Sequence, residues 1–307
     1  MSHSSQITRE IEEFKAFVKT AESIPEAVFD KEFHNRLWTI EKLARTEPEN
    51  RTALMADFLA STTAEFEVGL MSRHSRKKPL GYAGDHVIID MIYQQSAAKN
   101  DTGKMMDEFY HRQKAPTAVR NRKSFFIDTV AALCHKNPAP SILDIACGPC
   151  RDVAEALDKA GTAAKNASFH CIDMDSRAIS YAQTVVDSSK ASQICWQATD
   201  AFRFRTRKKY ELVWSAGLFD YLNDRLAAAL LRKMWDATSE GGEVIVGNFH
   251  ISNPDRPWME WCGDWHLIHR DEEDMRGICH RAGVSTDSIR FHYEPTGINM
   301  FLRISKD

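Results

Sequence analysis

The stretch Ser141-Ile142-Leu143-Asp144-Ile145-Ala146-Cys147-Gly148-Pro149-Cys150-Arg151-Asp152 decides how the rest of the chain is read. An apolar run over 142–146 gives way to a Gly/Pro turn, and a helical pattern follows over 153–160. Two chemistries compete for the turn. Cys147 and Cys150 have the spacing of a redox dithiol. Asp144 with the loop around Gly148 has the form of a strand-to-helix turn that cradles a nucleotide-like cofactor. A residue without Cβ lets backbone amides approach a ligand at a helix start.

The surroundings favour the cofactor loop. Short apolar runs at 142–146, 169–172, 194–197, 212–215 and 244–248 suit buried parallel strands. Helical stretches at 153–160, 177–186 and 225–238 separate them. Such alternation predicts a doubly wound α/β sheet. Two further runs, 289–294 and 299–304, flank Pro295-Thr296-Gly297 and predict an antiparallel hairpin on the sheet's edge. Upstream, glycine is sparse and the period is helical: 7–20, 26–45, 49–71, 87–95, 104–112 and 117–135. The expected division is therefore a helical region, 1–136, followed by an α/β domain, 137–307.

Acidic residues recur where these strands end. Asp144 closes the first, Asp173 the second and Asp200 the third. The carboxyl ends of neighbouring strands in a doubly wound sheet line one crevice, so three carboxylates are expected at one site. They suit a ligand with ribose hydroxyls, an exocyclic amine and a cationic centre.

This arrangement resembles the class I S-adenosylmethionine-dependent methyltransferases, whose first loop usually reads acidic-x-Gly-x-Gly-x-Gly. Asp144 and Gly148 match, while Ala146 and Cys150 stand where glycines are usual. The resemblance implies a Rossmann-like methyltransferase sheet with S-adenosylmethionine as cofactor. It places Asp144, Ala146, Gly148, Asp173, Met174, Asp200, Ala201 and Ser215 at the donor, with Asp173 on the ribose diol, Met174 against adenine and Asp200 at the adenine amine. A thiol-disulfide oxidoreductase using Cys147 and Cys150 and a non-catalytic donor-binding module are the alternatives.

Ser215-Ala216-Gly217-Leu218-Phe219-Asp220-Tyr221-Leu222 follows the fourth strand and would border the donor's methyl group. It lacks the Asn/Asp-Pro-Pro-Tyr/Phe signature of enzymes that methylate base amines. The net charge of −3 likewise gives no reason to expect nucleic acid. Phe219, Tyr221, Asn248, Arg122, Trp258 and Trp265 are candidates for binding an acceptor. For the tryptophans, core packing of the sheet's last layer is the equal alternative. His250, just past the fifth strand, is the candidate base, and Tyr82 and Arg120 join it as catalytic candidates. Gly81-Tyr82-Ala83-Gly84-Asp85 reads equally as a lid or a surface turn. No metal is expected, because His266, His269, Cys262 and Cys279 fit no standard zinc spacing.

A closer resemblance covers most of the chain. Pro79–Asp85, Ala118-Val119-Arg120-Asn121-Arg122, Gly247-Asn248-Phe249-His250, Asp264–Arg270 and Gly297–Leu302 are similar to a bacterial group described as forming 3-hydroxy fatty acid methyl esters, such as that of 3-hydroxypalmitate. It implies O-methylation of a carboxylate on a small or lipid-like acid. A carboxylate with a pKa of about 4 is already ionised and needs no strong base. A hydroxyl or amine acceptor on a small metabolite would need His250 as base. Seven scattered cysteines, a polar start and no apolar run long enough for a membrane span lead to a cytoplasmic expectation. Homo-oligomerisation stays open.

Overall fold

The computed structural model describes residues 3–285 and 287–306. Seven strands form one sheet in the order β3-β2-β1-β4-β5-β7-β6. They are β1 (Ser141–Ile145), β2 (Ser168–Asp173), β3 (Ile194–Ala198), β4 (Tyr210–Ser215), β5 (Thr238–Phe249), β6 (Ile289–Tyr293) and β7 (Asn299–Ser305). The first five pair in parallel, and β7 runs antiparallel to both β5 and β6. This is the expected Rossmann-like methyltransferase sheet with its terminal hairpin. Strand order reverses at β1 and β4, which opens a crevice at their carboxyl ends.

Every residue of β1 is buried, as in a strand covered on both faces. Ile142, Trp214, Ile245 and Phe301 face one core with Phe126 and Val130. Leu143, Ile145, Val213, Val244, Val246, Met300 and Leu302 face the other with Leu230, Leu231 and Met234. The strand period of two thus assigns each side chain its layer. β5 begins six residues before its predicted start. Ser239-Glu240-Gly241-Gly242 reads as a turn, yet Thr238 pairs with Tyr210 and the Gly241 amide donates to the Lys306 carbonyl.

Among the described residues, eight helices precede the sheet: α1 (His3–Val18), α2 (Glu26–Arg45), α3 (Pro48–Ser61), α4 (Thr63–Phe66), α5 (Leu70–Lys77), α6 (His86–Gln94), α7 (Asp101–Arg112) and α8 (Lys114–Lys136). Four more lie among and after the parallel strands: α9 (Arg151–Ala160), α10 (Ser176–Val185), α11 (Asp224–Ala237) and α12 (Glu272–Ala282). The single helix expected over 49–71 is three. Gly69 is extended, with φ −79° and ψ 151°, and lies so close to the Asp107 carboxylate that a Cβ there would stand 2.7 Å from it. That carboxylate accepts from the amides of Leu70 and Met71, at 2.9 and 2.8 Å, and so caps α5.

The chain packs as two units. One comprises Met1–Gly84, Gln94–Pro116 and Pro254–His266; the other comprises Asp85–Tyr93, Thr117–Asn253 and Leu267–Asp307. The division expected at 136/137 falls inside the second unit, because α8 supplies Phe126 and Val130 to the sheet's core. The first unit is built on aromatic rings at helical spacing. Phe33 of α2 meets Phe14 at 5.0 Å and Phe109 at 4.7 Å. Trp258 and Trp265 belong to this unit, not to the sheet's last layer; both are buried, and Trp258 meets Tyr110 edge-on at 4.8 Å.

Candidate active site

The loop after β1 is built from left-handed residues. Ala146, Gly148 and Cys150 have φ of 58°, 55° and 51°. These are the three positions where the acidic-x-Gly-x-Gly-x-Gly pattern carries glycine. The Cys147 amide donates to Ile172 at 3.1 Å, and Gly148 donates to Asp173 Oδ2 at 3.0 Å. Cys150 then caps α9. A Cβ on Gly148 would meet nothing within 4 Å, so the loop presents bare backbone to open space. Asp173 Oδ1 accepts from the Asp175 amide at 2.9 Å, and Asp200 Oδ1 accepts from Phe202 at 2.6 Å. Both carboxylates are half-buried, Met174 is 75% exposed and Ala201 is half-buried beside Asp200.

Asp144 sits deeper than expected. It lies within β1, paired with Cys171, whereas Asp173 closes β2 two residues further on. Asp144 is 2% exposed, and its Oδ2 has no hydrogen-bond partner. Burial pushes its carboxyl pKa well up, and the neighbouring Asp152 charge adds to the shift. Burial likewise raises Asp152 to about 6. The converging set is thus one buried acid and two at the rim.

Beside these acids stands Arg122, buried on α8. Its Nη1 donates to the Ala216 carbonyl, just past β4, while its Nε has no partner. A Cβ on Gly217 would lie 3.4 Å from that Nη1. Burial pushes the Tyr93 hydroxyl up, and the Arg122 charge works against that shift. Asn299, fully buried at the start of β7, has neither amide atom paired. Its Nδ2 would stand 3.4 Å from a Cβ on Gly247, and Ala216 O would stand 3.1 Å from the same Cβ. Arg122 and Asn299 therefore converge on the carboxyl ends of β4 and β5. Arg120, two residues before Arg122 on α8, donates to Thr117 Oγ1 at 2.9 Å.

Several expected contact residues have structural tasks. The Ser215 hydroxyl donates to Ile145 O at 3.0 Å, tying β4 to β1. Asn248 is fully buried; its Nδ2 donates to Phe249 O and Ile268 O, and its Oδ1 accepts from Arg270 at 2.9 Å. Arg270 also donates to Phe219 O and Leu222 O and pairs with Asp224, so it ties the segment after β4 in place. Phe219 is fully buried, whereas Tyr221 is 42% exposed. His250 follows β5 as expected, half-buried, with Nδ1 at 2.7 Å from Ser252 Oγ and its ring edge-on to Tyr293. Tyr82, 39% exposed, lies in the helical unit's 78–84 turn. The neighbouring Asp85 is buried and caps α6, accepting from Val87 and Ile88.

Sequence reasoning missed Asn299, Tyr93, Asp152 and Asp220. Asn299 is a polar residue heading an apolar strand, which is a readable signal. Asp220 is buried, accepts from the Phe249 amide at 2.7 Å and is raised by burial to about 7. Cys147 and Cys150, the redox candidates, are free thiols at 5% and 0% exposure.

Comparison with known proteins supplies the class. Residues 142–242 match the family model described as a methyltransferase domain. No curated protein matches. A Bordetella parapertussis structure described as a possible exported protein is 17% identical, covering 100% of this chain and 97% of its own, with a TM-score of 0.61. The S-adenosylmethionine-dependent methyltransferase SibL, in apo form, is 14% identical over 86% of this chain and 77% of its own, with a TM-score of 0.50. Magnesium protoporphyrin IX methyltransferase of Synechocystis, solved with S-adenosylhomocysteine, is 17% identical over 63% and 87%, with a TM-score of 0.49. Segment 142–242 thus matches a methyltransferase domain, and the sheet has the class I fold, whose cofactor is S-adenosylmethionine. The loop suits that donor: open space stands over Gly148, and the buried Asp144 Oδ2 has no protein partner. No described helix is long and apolar enough to cross a membrane.

Proposed function

We propose that this chain transfers methyl from S-adenosylmethionine to a carboxylate oxygen of a small or lipid-like acid. The observation that carries the reading is the pair Arg122 and Asn299. A buried guanidinium with an unpartnered Nε and a buried amide with both atoms unpartnered meet at the strand ends that border the reacting group. Buried polar groups of this kind call for a polar partner, and an arginine fork matches a carboxylate. When bound, the donor supplies an electrophilic methyl group on a sulfonium. The chain's own residues bind and orient. Asp173 and the bare backbone at Gly148 hold the donor at the loop, Arg122 fixes a carboxylate, and the buried setting keeps water away. Positioning of this kind accounts for effective molarities of about 10⁵ M or more. His250 stays in reserve as the base for a hydroxyl or amine acceptor. We assign the cytoplasm as the compartment.

The dithiol reading has weaker support, since an attacking thiolate needs access and both thiols are buried. The test is incubation with methyl-labelled donor and a cell extract, followed by mild alkali. Carboxyl methyl esters release labelled methanol, whereas methyl ethers and N-methyl products do not. Labelled product that survives alkali overturns the carboxylate reading and leaves methyl transfer intact. No labelled product, together with no S-adenosylhomocysteine binding, overturns both.

A further inference from the structure

Beneath the loop after β1 lies a cluster whose thiols methyl transfer does not use. Asp144 and Cys171 are directly opposed on β1 and β2, so both side chains point to the same face of the sheet. The loop folds back over them and adds Cys150, which is fully buried at the start of α9. The ligating atoms of Asp144, Cys150 and Cys171 all lie within 4.8 Å of one another. Cys147, three residues before Cys150 in the C-x-x-C spacing, is buried too, and its backbone carbonyl accepts from Cys150 Sγ at 3.7 Å. None of the three cysteines is in a disulfide. Asp144 Oδ2, buried beside them, has no partner at all.

We propose that Asp144, Cys147, Cys150 and Cys171 form a site for a thiophilic divalent cation, Zn²⁺ in the first instance. Three sulfurs and one carboxylate oxygen are a closed tetrahedral donor set of the structural kind. Thiolates favour zinc over hard cations such as Mg²⁺ or Ca²⁺. Around a tetrahedral Zn²⁺, with bonds of about 2.0 to 2.3 Å, ligand atoms stand roughly 3.3 to 3.8 Å apart. Asp144, Cys150 and Cys171, within 4.8 Å of one another, would contract by up to about 1 Å, and Cys147, outside that group, would swing its thiol in as the fourth ligand. Each thiol that ligates gives its proton to solvent. The N-terminus of α9 adds a favourable field at Cys150. The bound ion would join β1, β2 and the donor loop through side chains alone. It would brace the three left-handed residues 146, 148 and 150 from behind.

The test uses the full chain, reduced, stripped of metal and titrated with Co²⁺ and then Zn²⁺. It reads the metal directly, so it stands whether or not the methyltransferase reading does. The expected result is a thiolate-to-cobalt charge-transfer band that saturates at one ion per chain and is displaced by zinc. Tetrahedral d–d absorption should accompany it. Zinc should raise the unfolding midpoint. Cys171→Ser should weaken Co²⁺ binding at least tenfold, and Cys195→Ser, at an exposed thiol outside the cluster, should leave it unchanged. X-ray absorption on zinc-loaded wild-type protein needs no variant and should find a sulfur-dominated first shell. Absence of the cobalt band, binding that Cys171→Ser leaves intact, or a zinc shell without at least two sulfurs each overturns the proposal.

Discussion

The left-handed loop makes a prediction whose size follows from three angles. Ala146 holds φ of 58° with its methyl exposed, so Ala146→Gly removes strain and no buried contact. An L-residue in this region costs about 1 to 2 kcal/mol. The added freedom of glycine in the unfolded chain returns about 0.4 to 1 kcal/mol. The net expectation is a gain of about 0.5 to 1 kcal/mol, or roughly 1 to 4 °C in unfolding midpoint for a chain of this size. Gly148→Ala runs the other way, with φ of 55° and a Cβ entering open space. Gly283→Ala is its matched control. That residue closes α12 at φ of 65°, and its would-be Cβ meets nothing nearer than Arg232 at 3.8 Å. The two alanine variants should lose similar stability, about 1 kcal/mol each. They should part in calorimetry with S-adenosylhomocysteine, where only Gly148→Ala loses affinity, by tenfold or more. Equal affinities for the two variants, or an Ala146→Gly protein less stable than wild type, would refute the assignment of this loop to donor binding by close backbone approach.

Other expectations follow from the buried charges. Arg122→Met should weaken binding of a carboxylate by about 1.5 to 3 kcal/mol. Comparing S-adenosylhomocysteine with 5′-methylthioadenosine, which lacks the amino-acid end, identifies that carboxylate. Weakening confined to the former assigns Arg122 to the donor, and unchanged affinity for both leaves it to the acceptor. Asp220 is raised from 3.8 to about 7, so between those pH values the unfolded chain loses a proton that the folded chain keeps, and stability falls as pH rises. Asp220→Asn should therefore gain on wild type across that window, by at most about 4 kcal/mol, and a pH-independent difference in urea midpoints would rule this out. Asp90 is buried and accepts from Arg151 Nε at 2.5 Å and from Tyr181 at 2.7 Å, so Asp90→Ala should cost about 3 kcal/mol in denaturant unfolding.

The sheet was legible because its strands are short and fully apolar, and because helices of the right length separate them. Hydrophobic pattern alone locates six of the seven strands to within two residues of each end, and it misplaces only the start of β5. There, Gly241-Gly242 imitates a turn that long-range pairing with β4 and β7 overrides. Local reasoning also located the left-handed loop after β1, since a glycine position with positive φ leaves its mark in sequence. Depth was not legible. Nothing around Asp144 says that it sits two pairs below Asp173 in register, within the strand instead of at the rim. Partnership was not legible either. Asn248 and Asn299 are both asparagines in the same stretch of paired strands. One has its whole amide engaged by Arg270, Phe249 and Ile268, and the other has none of its amide engaged. Only folding separates them, because two partners of Asn248, Ile268 and Arg270, come from a segment 20 to 22 residues downstream. A buried side chain whose hydrogen bonds are complete holds the fold. One left incomplete at a strand's end is where a ligand gains most, since the cost of removing water from that group has already been met in folding. On that ground the acceptor side of this site is better sought at Asn299 and Arg122 than at Asn248.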